Sequence, residues 1–463
     1  MVDRREFVAA VAGAGVMATA NAQAQSAARR TPFAAGPVDL SGLRGKPWLD
    51  RERASAFMRR EGLDAIVCAR AANIFHLTSH WPLLDRMGAS GSAFAVLPVD
   101  AKAPIALIMG QFSYYYGVSD DGLPAGIEPY LYSGSAPQVT RAGVAAQPVA
   151  NAEPAAAEAR IFRVIDPAAL QPRERARRTA SDGAAPYSAN AQLAVTRALR
   201  AHGIRGGTLG ADDWLASDMI EAALPSARIQ RAEDTLRRIR RVKTPNELQL
   251  MRLVAQTNAD AALAAAHAAR ELRTARALRA RYYSEATARG MRPVFMVVDG
   301  ITSDDYDEPL HEGQGVLIDC VSSLLNYNGD FARTIFIGEP STRMAMATRA
   351  IAECWDAVRA ALRPGMSYSD IRSLGQALLQ KMNYDVHVGI TPHSVGLWHG
   401  DDPRAGIGGA AQELTLEAGM VLSVDFPVFD QGAGGTAHLE DLSVITATGA
   451  ELLNSSTQRT ISV

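Results

Sequence analysis

Gly315-Val-Leu-Ile-Asp-Cys-Val-Ser-Ser-Leu-Leu-Asn-Tyr-Asn-Gly-Asp-Phe-Ala-Arg-Thr334 places one carboxylate after an apolar run and a second before another. Asp319 is expected to end a strand, Asn326-Tyr-Asn-Gly329 to turn the chain, and Asp330 to open the next strand. The hairpin folds the two acids back towards each other. Further along, His393 stands in Pro392-His-Ser-Val-Gly396, Asp425 in Ser423-Val-Asp-Phe-Pro427 and Glu440 in His438-Leu-Glu-Asp441. Strand alternation puts Asp425 on one face with Val421 and Ser423, and Glu440 on one face with His438 and Leu442. Carboxylates pointing inward from apolar strands are costly to bury unless something cationic neutralises them. Four carboxylates and one imidazole suit divalent Mn, Zn, Co or Fe(II). Two such ions sharing carboxylates can activate a water and polarise a carbonyl, the equipment of a hydrolase. The chain holds 49 acidic residues, so each acid alone carries little weight, and their order carries the reading.

The chain has 463 residues, long enough for two domains. Apolar content of 48% and a formal charge of −2 describe an ordinary globular protein, with nothing that calls for nucleic acid or an anionic membrane surface. The basic run from Arg228 to Lys243 reads as a solvated helix or linker face. Asp3-Arg4-Arg5-Glu6-Phe7-Val8 carries a twin-arginine signature, followed by a short Ala/Gly-rich apolar stretch and Ala22-Gln23-Ala24. Residues 1–24 are therefore expected to be an export signal to the bacterial periplasm, too short for stable membrane insertion. Three cysteines, Cys68, Cys320 and Cys354, do not make a disulfide framework at this size.

Residues 25–46 read as a flexible lead. From residue 47 to 235, a helix over Leu49–Glu61 and apolar strands at Leu63–Cys68, Ala93–Leu97 and Ile105–Met109 suggest an α/β domain. Part of the Ala/Pro/Ser/Arg-rich stretch 133–190 reads as a long loop. Thr244-Pro245-Asn246-Glu247 is a capping box that opens a long helix. From about 240 to 463, strands and helices come in blocks, which favours an α+β domain with an antiparallel sheet.

This order and wording resemble the pita-bread metallohydrolases, a family that includes Xaa-Pro aminopeptidases and dipeptidases, methionine aminopeptidases and creatinase. The resemblance covers residues 47–460. Gly62-Leu-Asp-Ala-Ile-Val67 and Asn73-Ile-Phe-His-Leu-Thr78 look like the creatinase-type N-terminal domain, and Arg240-Arg-Val-Lys-Thr-Pro-Asn-Glu247 looks like the helix that opens the catalytic domain. The resemblance implies a creatinase-type α/β domain followed by a pita-bread α+β domain. It makes Asp319, Asp330, His393, Asp425 and Glu440 the ligands of two divalent ions (Mn, Zn, Co or Fe), with Asp330 and Glu440 shared. His399 matches a histidine that contacts substrate and steadies the oxyanion.

The departures fall mainly on substrate recognition. The family usually has glutamate where Asp425 stands, and that glutamate also serves as general base. His393 and His399 are six apart instead of seven. His438 replaces an arginine that helps hold substrate in many Xaa-Pro dipeptidases, and no histidine occurs between Gly300 and Pro309. The leading expectation is a dinuclear hydrolase of C–N bonds, most like an Xaa-Pro peptidase, with His399, Asp425 and His438 as catalytic residues. Two alternatives are a creatinase-like or lyase-type enzyme on a small non-peptide substrate, and a non-catalytic binding module. A homodimer is expected, with the segment His76–Trp81 as the candidate contribution to a partner's pocket.

Overall fold

A computed structural model describes residues 36–463 except 44, 121, 135–163, 185, 383–386 and 404–412. The export signal, most of the lead and much of the 133–190 stretch lie outside the described residues. Within that stretch, Pro172–Gly183 is a helix with Gln171 and Glu174 forming a capping box.

The N-terminal sheet contains β1 (Ala65–Cys68), β2 (Ala93–Pro98), β3 (Ile105–Gly110), β4 (Ile127–Tyr132), β5 (Thr208–Ala211) and β6 (Arg228–Arg231), ordered β4-β3-β2-β1-β5-β6. The middle pairs β1–β2 and β2–β3 are antiparallel, and β3–β4, β1–β5 and β5–β6 are parallel. β1 and β2 are buried along their whole length because helices cover both faces, which explains unbroken apolar runs in place of alternation.

The C-terminal half builds two sheets. The first contains β7 (Arg292–Val298), β8 (Gly315–Leu324), β9 (Tyr327–Asn328), β10 (Phe331–Phe336), β13 (Glu440–Asp441) and β16 (Thr460–Ser462). The second contains β11 (Thr391–Ser394), β12 (Val421–Asp425), β14 (Ser443–Ile445) and β15 (Ala450–Leu452). Pairing is antiparallel throughout except β10–β16, which is parallel.

The Asp319–Asp330 hairpin differs from expectation in one respect. β8 runs five residues past Asp319 to Leu324, so Asp319 sits mid-strand. The turn falls at Leu325-Asn326, whose φ values of 45° and 66° are the left-handed pair of a two-residue hairpin loop. Ser322 and Ser323 look like strand breakers in sequence, yet both are buried, and the Ser322 hydroxyl donates to Asn258 Oδ1 at 2.6 Å.

The helix Pro245–Ala266 packs across β8, β9 and β10 with Leu250, Met251, Val254, Ala255, Ala259 and Ala262 facing the core. Its small residues allow close approach, and Asn258 on that face donates to the Cys320 carbonyl at 2.7 Å. A Cβ on Gly329 would lie 2.6 Å from Asn258 Cβ, so glycine is needed just before Asp330. The capping box forms as expected: Thr244 Oγ1 accepts from the Glu247 amide, and the Thr244 amide donates to Glu247 Oε2 at 2.7 Å. Glu247 Oε1 also accepts from the Tyr327 hydroxyl at 2.6 Å and lies 3.5 Å from His76 Nε2. His76 is thus buried against its own chain, and Trp81 packs on Phe75 at 6.2 Å.

The basic run is not a solvated face. It forms β6 and the helix Glu233–Arg241, and Arg240 is among the most deeply buried side chains. Its guanidinium donates to Asp401 Oδ1 at 2.7 Å and to Asn73 Oδ1 at 2.6 Å, joining the helix Ala71–Thr78 to the loop after His399. Arg237 donates to the Gly400 and Asp402 carbonyls, both at 3.1 Å. Among the described residues no helix is long and apolar enough to cross a membrane.

His80 Nε2 is buried without a hydrogen-bond partner, and burial depresses the ring's pKa to about 4. An unfolded histidine titrates near 6.5, so the folded state favours the neutral ring. This contribution, up to about 3 kcal/mol, is fully present above pH 6.5 and is lost as pH falls towards 4. Urea midpoints measured from pH 7 to pH 4 should fall less steeply for His80→Gln than for the parent; parallel slopes would remove His80 from the account.

Candidate metal centre

The register of the first sheet explains how three acids meet. Asp319 pairs with Ala332 across β8–β10, and Ala332 pairs with Glu440 across β10–β13. Asp319, Ala332 and Glu440 therefore form one row on one face, and Asp330, two residues before Ala332, joins that face. The methyl of Ala332 leaves the space between the flanking carboxylates open. In the second sheet Thr391 pairs with Asp425 and His393 with Ser423, which sets His393 diagonally beside Asp425. Where the sheets face each other, His393 Nε2 lies 3.1 Å from Asp425 Oδ1 and 3.6 Å from Asp330 Oδ2.

His399 and His438 flank this cluster. His399 Nε2 is 3.2 Å from Asp330 Oδ2, and its ring meets Phe295 edge-on at 5.2 Å. His438 Nε2 is 3.3 Å from Glu440 Oε2. Three overlapping groups have potential ligand atoms within 4.8 Å of one another: Asp330, His393 and His399; Asp319, His438 and Glu440; His393, Asp425 and Glu440. All seven residues singled out in the sequence thus converge. His399 alone opens broadly, with its side chain 36% exposed, onto a cleft of about 650 Å³ lined by Arg70, Arg231, Glu233, Arg237 and Trp398.

The electrostatics fit a cation. Asp330 and Glu440 are each 1% exposed. Asp319 Oδ1, both Asp330 oxygens and Glu440 Oε1 are buried without an aligned hydrogen bond, the kind of orphan that folded proteins leave for an ion or a ligand. Burial, and then the neighbouring Asp330 charge, push Asp319 up to about 8. Burial and the same acidic neighbours raise Glu440 well above its ordinary range. Burial opposes ionisation of Asp425 and Asp330 as well, but the imidazoles of His393 and His399 outweigh it and hold both acids low. Burial pulls His393 down, and Asp425 outweighs it to lift the ring to about 10. So many acids in one dry space cannot all be ionised without positive charge among them. The hard oxygen donors with one or more imidazoles match the donor set of borderline divalent ions.

The surroundings hold this geometry. Arg333, fully buried, donates to both Asp441 oxygens at 2.9 Å and to the Glu440 carbonyl at 2.8 Å, fixing the two-residue β13. Thr334 Oγ1 accepts from the His438 amide at 3.1 Å. Asp402, in the loop after His399, accepts from the Ser394 amide at 3.0 Å and from Tyr368 at 3.1 Å beside His393. Its only sequence signal was proximity to the histidines. Cys320 packs in the core, and all three cysteines are free and buried.

Comparison with known proteins points to the metal-dependent peptidases. Residues 236–447 match the model for metallopeptidase family M24. The Xaa-Pro dipeptidase of Pyrococcus furiosus is 24% identical over 261 residues, 53% of this chain and 73% of that protein. A probable dipeptidase PepE of Mycobacterium bovis is 29% identical over 239 residues, covering 48% and 61% respectively. Among solved structures, an Xaa-Pro dipeptidase from Bacillus anthracis aligns with a TM-score of 0.64 at 16% identity, over 89% of this chain and 99% of that one. These structural likenesses establish the fold.

Proposed function

We propose that the protein is a dinuclear metal-dependent peptidase that cleaves the bond before proline in short Xaa-Pro peptides. The observation that carries this reading is the set of buried carboxylate oxygens on Asp319, Asp330 and Glu440 that lack an aligned hydrogen bond and gather with His393 and Asp425. The dipeptidase names of the relatives support a peptide substrate over a small non-peptide one.

Asp319, Asp330, His393, Asp425 and Glu440 would hold two divalent cations, manganese among the candidates. Bound there, such ions supply a water of lowered pKa and polarise the scissile carbonyl. Asp425, its side chain 21% exposed, can take a proton from the attacking water. His399, at the cleft, can donate from Nε2 to the oxygen that gains charge. Burial lowers its pKa, but Asp330 outweighs that effect and raises it, which favours the protonated ring.

The twin-arginine signature supports export to the periplasm, and the family resemblance supports a homodimer. The direct test is hydrolysis of a panel of Xaa-Pro and Xaa-Ala dipeptides by protein loaded with Mn, Zn, Co or Fe(II). Selective release of proline is expected; cleavage of none of the peptides with any ion would overturn the reading. In the same assay Asp425→Asn should lower kcat by roughly 10²–10⁴-fold, the range for losing a general base, with KM changed only a few-fold.

A further inference from the structure

We propose that His438 is itself a metal ligand, a sixth protein donor on the Asp319–Glu440 side of the centre. This assignment rests on the dinuclear reading above and deepens it. The imidazole Nε2 lies 3.3 Å from Glu440 Oε2, and the ligand atoms of Asp319, His438 and Glu440 lie within 4.8 Å of one another. That is the same spacing that unites His393, Asp425 and Glu440. Asp319 Oδ1 and Glu440 Oε1, which share the pocket, are buried without hydrogen-bond partners.

The side chain is 7% exposed and the backbone is tied to Thr334, whose hydroxyl accepts from the His438 amide at 3.1 Å. A side chain held this way cannot swing out to a distant part of a substrate, whereas it needs little movement to meet an ion between Asp319 and Glu440. A neutral imidazole adds a nitrogen donor without adding charge. An arginine at this position could neutralise acids but could not ligate. With His393 beside Asp425 and His438 beside Asp319, each half of the centre gains one nitrogen donor. Imidazole suits zinc and iron, whereas all-oxygen sites suit manganese and magnesium, so His438 moves this half towards the borderline ions.

The competing role is positioning: Nε2–H donating to Glu440 and merely orienting that carboxylate. His438→Gln separates the two, because glutamine can still donate to Glu440 but is a poor ligand. Co²⁺ is titrated into chelator-stripped parent and variant, followed by calorimetry and by visible absorption, with circular dichroism confirming the fold. The expected result is two sites in the parent and, in the variant, one site weakened by at least about 100-fold with its absorption band altered. Two sites of unchanged affinity and spectrum in His438→Gln would overturn the ligand assignment alone. No binding in the parent would overturn the dinuclear reading beneath it. Should the variant misfold, a crystal structure of the zinc-loaded parent decides the matter. An imidazole nitrogen roughly 2.0–2.1 Å from zinc supports the assignment, and a ring bonded to Glu440 without touching the ion refutes it.

Discussion

Asp330→Asn is expected to empty the centre and to lower turnover of an Xaa-Pro dipeptide by at least about 10³-fold, equivalent to several kcal/mol of transition-state stabilisation. Asp330 is the acid that both flanking imidazoles approach: His399 Nε2 lies at 3.2 Å and His393 Nε2 at 3.6 Å from its Oδ2. Neither of its oxygens has an aligned hydrogen bond, so its place is not explained by protein partners. Asparagine has nearly the same shape, so packing should survive while one anionic ligand is lost. Removing one charge from a crowd of buried carboxylates also relieves repulsion. In chelator, the variant should therefore melt no lower than the parent, while elemental analysis of metal-loaded samples shows fewer ions per chain. Full metal content together with normal turnover would break the link between this carboxylate and the chemistry.

The second large effect lies outside the centre. Arg240→Met should lower unfolding free energy by about 3–5 kcal/mol, the usual cost of leaving a buried charge without its partner. Arg240 and Asp401 are each 1% exposed at the side chain and 2.7 Å apart. Asn73 Oδ1 and Glu233 Oε1 face the same guanidinium at 2.6 and 3.5 Å. The burial that would ordinarily strip the arginine of its proton is outweighed by Asp401 and Glu233, which hold it firmly charged. Pairing the substitution with Asp401→Asn removes the stranded anion and should recover part of the loss. Guanidinium unfolding of the parent, both single variants and the double variant measures the coupling. A cost below about 1 kcal/mol for Arg240→Met would show that the pair contributes no more than an exposed one.

The contrast between these two sites shows what could be read from the sequence. Asp319 and Asp425 were legible because each sits in an apolar strand, and Asp330 because it stands just before the hairpin's second apolar strand. The hairpin and the Thr244 capping box are equally local signals. The length of β8 was not legible, since Ser322 and Ser323 resemble a strand end; Ser322 is accommodated by Asn258, more than 60 residues earlier, and Ser323 by Arg292 of the neighbouring strand. Arg240 and Asp401 were missed for the same reason. A cluster of arginines reads as solvated until a partner 161 residues away is brought against it. Periodicity reports which face is buried, and it is silent about which distant charge will be there.

Glu247 shows what this kind of joinery does to the freedom of the chain to change. Its backbone amide and carboxylate start a helix, Oε1 receives the hydroxyl of Tyr327 at the edge of the hairpin that delivers Asp330, and His76 of the other sheet's domain leans on the same oxygen. Aspartate would fall short of these reaches, and glutamine would offer its amide where an acceptor is needed at one of them. A neutral drift at position 76, 247 or 327 therefore has to wait for its counterparts. Chains can share a fold while differing over most of their length, as the 16% identity to the Bacillus anthracis structure shows; at a joint of this sort, a change in one member strands the hydrogen bonds of the others.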